Sequence, residues 1–292
     1  MRCGKTLVNT LGPVLLVVFF HGFTVENAIA RSHANRIVKV RIVADQLFRE
    51  LDSWELRIQH RLGAVSSFYQ RFCGIRFVVE RIVAWESRTS APTLEDLYFD
   101  LHKKVDIGDA DILLGVSAYK PPVGTKQGWS LQLFRQTVVL DSPGYSELDK
   151  IVMIAHELGH LFGAWHIENR NSVMYVGSGI LRFDRHSLRL LRLMRHYDFK
   201  RGLSGVEQVT ASEITAIYQE SERAADEINP LSSAHNTLGL LLEMEGKLED
   251  AARKFREAIR IDPTNRTATE NLIRVCRAIP SRESCIRGLE TK

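Results

Sequence analysis

The chain has no apolar run long enough to cross a membrane. The one stretch that approaches it, from about Leu11 to Phe20, is broken by Gly12 and Pro13 and followed by His21 and Glu26, short of the roughly 20 residues a span needs. An excess of charge is also missing: 39 basic and 35 acidic residues among 292 leave +4, a balance that names no partner. Cysteine is scarce. Of four, Cys3 falls in the N-terminal segment treated next, and the remaining three cannot all pair with one another.

What is present at the N-terminus reads as an export leader. Arg2 and Lys5 precede the apolar stretch, and Ala28-Ile29-Ala30 has the small-residue pattern of a signal-peptidase site, so residues 1–30 are expected to be removed. Losing Arg2, Lys5 and Glu26 leaves 37 basic and 34 acidic residues, a mature chain with no stable membrane span and a secreted, periplasmic or extracellular location. In such a compartment Cys276 and Cys285, on either side of a Pro-Ser turn region, are placed to form a disulfide with Cys73 left over; three buried thiols is the other reading.

Basic residues do cluster between Arg182 and Arg201, but Leu188, Leu191 and Met194 give that stretch an apolar helical face. The arginines are its wet side, and no nucleic-acid partner is implied.

Val38, Val40 and Ile42 alternate with Lys39 and Arg41 as in a half-buried strand. Trp54, Ile58, Leu62, Val65, Tyr69 and Phe72 recur every three or four residues on one face of a long helix that Gly74 ends. Ile75, Phe77 and Val79 predict a second strand, Leu94 to Val105 a helix opened by Thr93, and Ile112 to Val116 a third strand. Strand-like runs at 128–134 and 137–140 follow, the first a candidate sheet edge, and a helix starts near Ser146. This order predicts an α/β (α+β) fold, a mixed sheet with helices packed on it.

From about Ala211 the pattern becomes all helical. Leu238, Gly239, Leu242, Ala251, Phe255, Ala258 and Pro263 match the tetratricopeptide repeat, in which small residues let two antiparallel helices approach while large ones fill the seam. Helices near 214–228 and 268–279 are expected to complete a short stack, since one repeat cannot bury its own face. The organisation read from this is a leader at 1–30, a mixed α/β domain at 31–205 and a small all-α domain at 206–292, through which a protein partner could bind.

The chemistry concentrates at His156-Glu157-Leu158-Gly159-His160. Histidines four residues apart sit one turn apart on one helical face, where both reach one tetrahedral zinc. His166 supplies a third nitrogen, because Gly163 can adopt the positive φ that ends the helix and turns the chain back. Three protein ligands leave a fourth position open, the mark of a catalytic rather than a structural zinc, and Glu157 is placed there as general base.

The whole run from His156 to His166 resembles the long zinc signature of the metzincin peptidases, and Ser172-Val173-Met174-Tyr175 resembles their Met-turn. The eight positions from His166 to Met174, and Ala110-Asp111-Ile112-Leu113 ahead of the cleft, are similar to the matrixin branch. The resemblance covers roughly residues 36–200. It implies a secreted zinc endopeptidase with one catalytic ion, an extended peptide or protein substrate aligned on the edge strand near 128–134, and Met174 as an apolar base under the metal.

Ile167 stands where the named branches show Ser, Glu, Asp or Pro, and Val176 offers no second tyrosine. Asp106, Asp109 and Asp111 would be the carboxylates for a calcium ion, although loop carboxylates of this kind are usually turn residues. The rival function is a secreted helical-repeat binding protein whose zinc domain does no catalysis; an intact Glu157 argues against it.

Overall fold

In the computed structural model residues 35–88, 93–120, 127–223, 232–279 and 285 are described; the expected leader lies outside them. The alternation at Val38, Val40 and Ile42 belongs to β1 (Arg36–Asp45), whose C-terminal half is buried on both faces. A short helix unforeseen in the sequence, α1 (Gln46–Arg49), follows, started by the Asp45 carboxylate accepting from the Phe48 amide. Then come α2 (Trp54–Cys73), β2 (Ile75–Trp85), α3 (Leu94–Lys104), β3 (Ile112–Ser117), β4 (Gly128–Ser130), β5 (Gln136–Leu140) and α4 (Glu147–Leu161). Gly74 closes α2 with φ +68°, and Thr93 and Ser146 open α3 and α4 with reciprocal capping boxes to Asp96 and Asp149.

The sheet order is β2-β1-β3-β5-β4, parallel throughout except for antiparallel β4 at the edge. Alternate side chains supply two cores. Ile42, Ile112, Leu114, Val116 and Val139 pack against α2 and α4, whereas Val43, Leu113, Val138 and Leu140 pack against Leu97, Tyr98 and Leu101 of α3. Covered on both sides, β3 and β5 are wholly buried, which is why Ile112 to Val116 and Val138 to Leu140 run without polar alternation. The fold is thus mixed α/β with a helical C-terminal region.

The edge strand is shorter than the 128–134 run suggests. It stops at Ser130, and Leu133 takes a left-handed φ of 61° while its amide donates to the carbonyl of His160 at 3.2 Å. A tertiary hydrogen bond at the end of α4 diverts the chain from the ladder.

A buried polar cluster anchors the start of α4. Arg61 of α2 donates to Asp141 at 2.7 Å and to both oxygens of Glu147, and Lys150 pairs with Asp141 at 2.5 Å. Burial alone would raise the Asp141 carboxyl, but the hydrogen bonds from Lys150 and Arg61 outweigh it and hold the group below its ordinary value; the Arg61 hydrogen bond does the same for Glu147. Removing one partner of such a cluster strands the others, so Arg61→Ala should cost about 3–5 kcal/mol in denaturant unfolding. The depressed carboxyls stabilise the fold above their unfolded values, near pH 4, and that contribution is lost as pH falls through the folded values. The variant's acid-unfolding midpoint should therefore move up; an unshifted midpoint would contradict this account.

After α4 the chain forms α5 (Arg185–Leu193), α6 (Gln208–Arg223), α7 (Ser232–Met244), α8 (Leu248–Ile261) and α9 (Arg266–Ala278). On α5 the arginines are indeed the wet side: Arg185 and Arg189 pair with Glu220 of α6 over buried Leu190 and Leu191. In the hairpin of α7 and α8, a Cβ on Gly239 would lie 2.6 Å from Phe255 Cδ1, so only glycine permits that approach. Cys276 and Cys285 form a disulfide with Cα atoms 5.5 Å apart, and Cys73 is a free, buried thiol whose pKa burial pushes up to about 12. Among the described residues no helix is long and apolar enough to cross a membrane.

Candidate metal centre

Helix α4 carries His156, Glu157 and His160, and the chain leaves it as spacing predicts. Phe162 caps the last turn, Gly163 takes φ +90°, and the amides of Gly163 and Ala164 return to the carbonyls of His160 and Gly159 at 2.8 and 3.0 Å. Three residues later His166 faces the helix. Its Nε2 lies 2.9 Å from Nε2 of His156 and 3.0 Å from Nε2 of His160, and the two helical nitrogens are 3.1 Å apart.

Backbone carbonyls decide which nitrogen carries the proton. His156 Nδ1 is 2.7 Å from the Val173 carbonyl and His160 Nδ1 is 2.7 Å from the Ala164 carbonyl. A carbonyl only accepts, so each Nδ1 donates and each Nε2 of a neutral ring presents a lone pair. Burial pushes the pKa of His156 down to about 4, which keeps that ring neutral at physiological pH.

Two lone pairs 3.1 Å apart repel one another unless a cation lies between them. Zn–N bonds of about 2.0–2.1 Å at tetrahedral angles separate ligand nitrogens by about 3.3 Å, close to the spacing found. Donor type, tautomer and spacing all fit zinc. Among the described residues these three are the group able to hold a metal.

Two of the three loop aspartates considered for calcium have protein partners of their own. Asp111 accepts the Lys39 amide and pairs with Arg36, and Asp106 accepts the Gly108 amide as a turn residue. Met174 is fully buried, and a Cβ on Gly159 would lie 2.7 Å from its thioether sulfur, so Met174 packs tightly against the α4 backbone between the two histidines.

Glu157 is 6% exposed, and its Oε2 accepts a 2.5 Å hydrogen bond from the Ser130 hydroxyl of β4. A Cβ on Gly128 would lie 2.6 Å from Glu157 Cδ, so the carboxylate occupies the space that glycine leaves on the edge strand. Sequence reasoning missed both Ser130 and Gly128, since nothing in Gly128-Trp129-Ser130 marks them as facing a residue 27 to 29 positions later. A cleft of about 560 Å³ is lined by the three histidines and Glu157 together with β4 and Tyr175 to Ser178.

The tetratricopeptide repeat family matches residues 232–265, the span of α7 and α8. No sequence among the curated proteins matches the chain. Among solved structures the chain is similar to archaemetzincin from Methanopyrus kandleri, with 20% identity and a TM-score of 0.43 over 56% of this chain and 96% of that one. It is also similar to a chain in a chaperone-substrate complex, with 13% identity and a TM-score of 0.43 over 56% of this chain and 35% of that one.

Proposed function

We propose that this chain is a zinc-dependent endopeptidase, exported after loss of residues 1–30, in which His156, His160 and His166 hold one zinc ion and Glu157 is the general base. The observation that carries the reading is the convergence of three imidazole nitrogens within 3.1 Å, two of them fixed as lone-pair donors, beside a buried carboxylate. The run from His156 to His166 and the turn at Met174 make the metzincin group the natural comparison, with a Met-turn spacing nearest the matrixin branch.

Zinc bound by three nitrogens lowers the pKa of water and polarises a carbonyl. Glu157 takes the proton from the attacking water on a carboxylate oxygen and later delivers it to the departing amine nitrogen. Ser130 holds the other oxygen, which fixes the carboxylate's rotation. The edge of β4 offers main-chain pairing to an extended peptide, so the cleft selects backbone conformation as well as side chains.

The test is metal content together with turnover of a broad peptide library, with and without a chelator. The purified protein should hold one zinc per chain and cleave peptides, and chelation should abolish cleavage reversibly. Bound zinc without turnover would favour the rival reading, a helical-repeat binding protein.

A further inference from the structure

The helical region raises a question that the peptidase reading leaves open: what the C-terminal helices do for the metal centre. Between the end of α4 and His166 lie Phe162, Gly163, Ala164 and Trp165, and the last three are reached from that region, Ala164 through one intervening side chain. Tyr218 of α6 donates its hydroxyl to the Gly163 carbonyl at 2.7 Å and lays its ring on Trp165 with centroids 3.8 Å apart. Thr237 of α7, inside the tetratricopeptide hairpin, donates to Gln132 Oε1 at 2.7 Å, and Gln132 Nε2 donates to the Ala164 carbonyl at 2.9 Å. That carbonyl also accepts from the metal-facing ring of His160.

We infer that Thr237 and Tyr218 are positioning residues of the metal centre, and that the helical region braces the segment leading to His166 as well as providing any docking module. The inference rests on reading the three histidines as a metal site. Thr237, Gln132, Ala164 and His160 are all buried, so a partner lost here costs more than one lost at the surface. The Ala164 carbonyl selects the tautomer of His160, and the Gln132 amide aims that carbonyl. Without the Thr237 hydroxyl, Gln132 Oε1 loses that donor, and the amide that faces Ala164 is steadied only by its contact with Tyr218. Groups that orient a ligand in this way typically cost 10- to 100-fold in metal affinity when removed.

The experiment compares the purified full chain with Thr237→Val, Thr237→Ser and Tyr218→Phe. Zinc affinity is read by competition with a chromogenic chelator, and fold integrity by thermal unfolding of the metal-free proteins. Thr237→Val, nearly the same shape without the hydroxyl, should bind zinc about 10-fold more weakly while unfolding close to the parent, and Thr237→Ser should restore the affinity. Tyr218→Phe keeps the ring on Trp165, loses the hydroxyl's contacts with the Gly163 carbonyl and Gln132, and should weaken zinc by a similar factor. It carries the test if Thr237→Val does not fold. Parental affinity in Thr237→Val, or in Tyr218→Phe where that variant stands in for it, overturns the inference while leaving the metal site intact. A parent chain that binds no zinc overturns the metal reading and this inference with it.

Discussion

Glu157→Gln should retain its zinc and lose turnover by about 10³-fold or more. Glutamine has the size of the side chain it replaces, and its amide oxygen can still accept from Ser130, so the fit beneath Gly128 is kept. What disappears is the ability to take up a proton and give it back. General acid–base catalysis contributes about 10²–10⁴-fold, or about 3–5 kcal/mol of barrier, and in the proposed mechanism this carboxylate serves in both halves of the reaction. The loss should fall on kcat, with metal content unchanged by elemental analysis. A zinc-loaded Glu157→Gln protein that still cleaves at the parental rate removes Glu157 from the mechanism.

His166→Ala should act one step earlier, on the metal itself. The two remaining nitrogens come from one turn of α4 and are 3.1 Å apart, which leaves zinc with a two-point attachment. The affinity loss should exceed the 10- to 100-fold typical of residues that merely orient a ligand. Calorimetry makes this visible without any substrate. A ligand present at about 1,000 times its dissociation constant stabilises the folded state by about 4 kcal/mol, so the parent's melting temperature should climb steeply on adding zinc while the variant's stays nearly flat. An equal zinc-dependent rise in both proteins would mean that His166 is not a ligand.

Much of this architecture was legible from spacing. The four-residue interval of His156 and His160, the helix end at Gly163 and the return of His166 are local relations, encoded in a single turn of helix and one positive φ. The period-two runs found β1 and β2, the unbroken run at 112–116 found β3, and the small residues at 239, 251 and 258 found the α7–α8 hairpin. The 128–134 run misled, because alternation cannot reveal that Leu133 will leave the ladder to bond the end of α4. The pairing of Cys276 with Cys285, left open against three buried thiols, is decided by Cα atoms 5.5 Å apart.

The sequence by itself determined which side chains can meet a metal and on which element they stand, since residues three to ten positions apart share a turn or a short loop whatever the rest of the chain does. Only the tertiary structure decided how those side chains are set: the carbonyls of Val173 and Ala164 that fix the imidazole tautomers, the Ser130 hydroxyl that turns Glu157, and the contact from Thr237 to Gln132 across 105 residues. Such contacts depend on where whole elements pack, and hydroxyls, amides and carbonyls carry no periodicity from which a distant partner can be read.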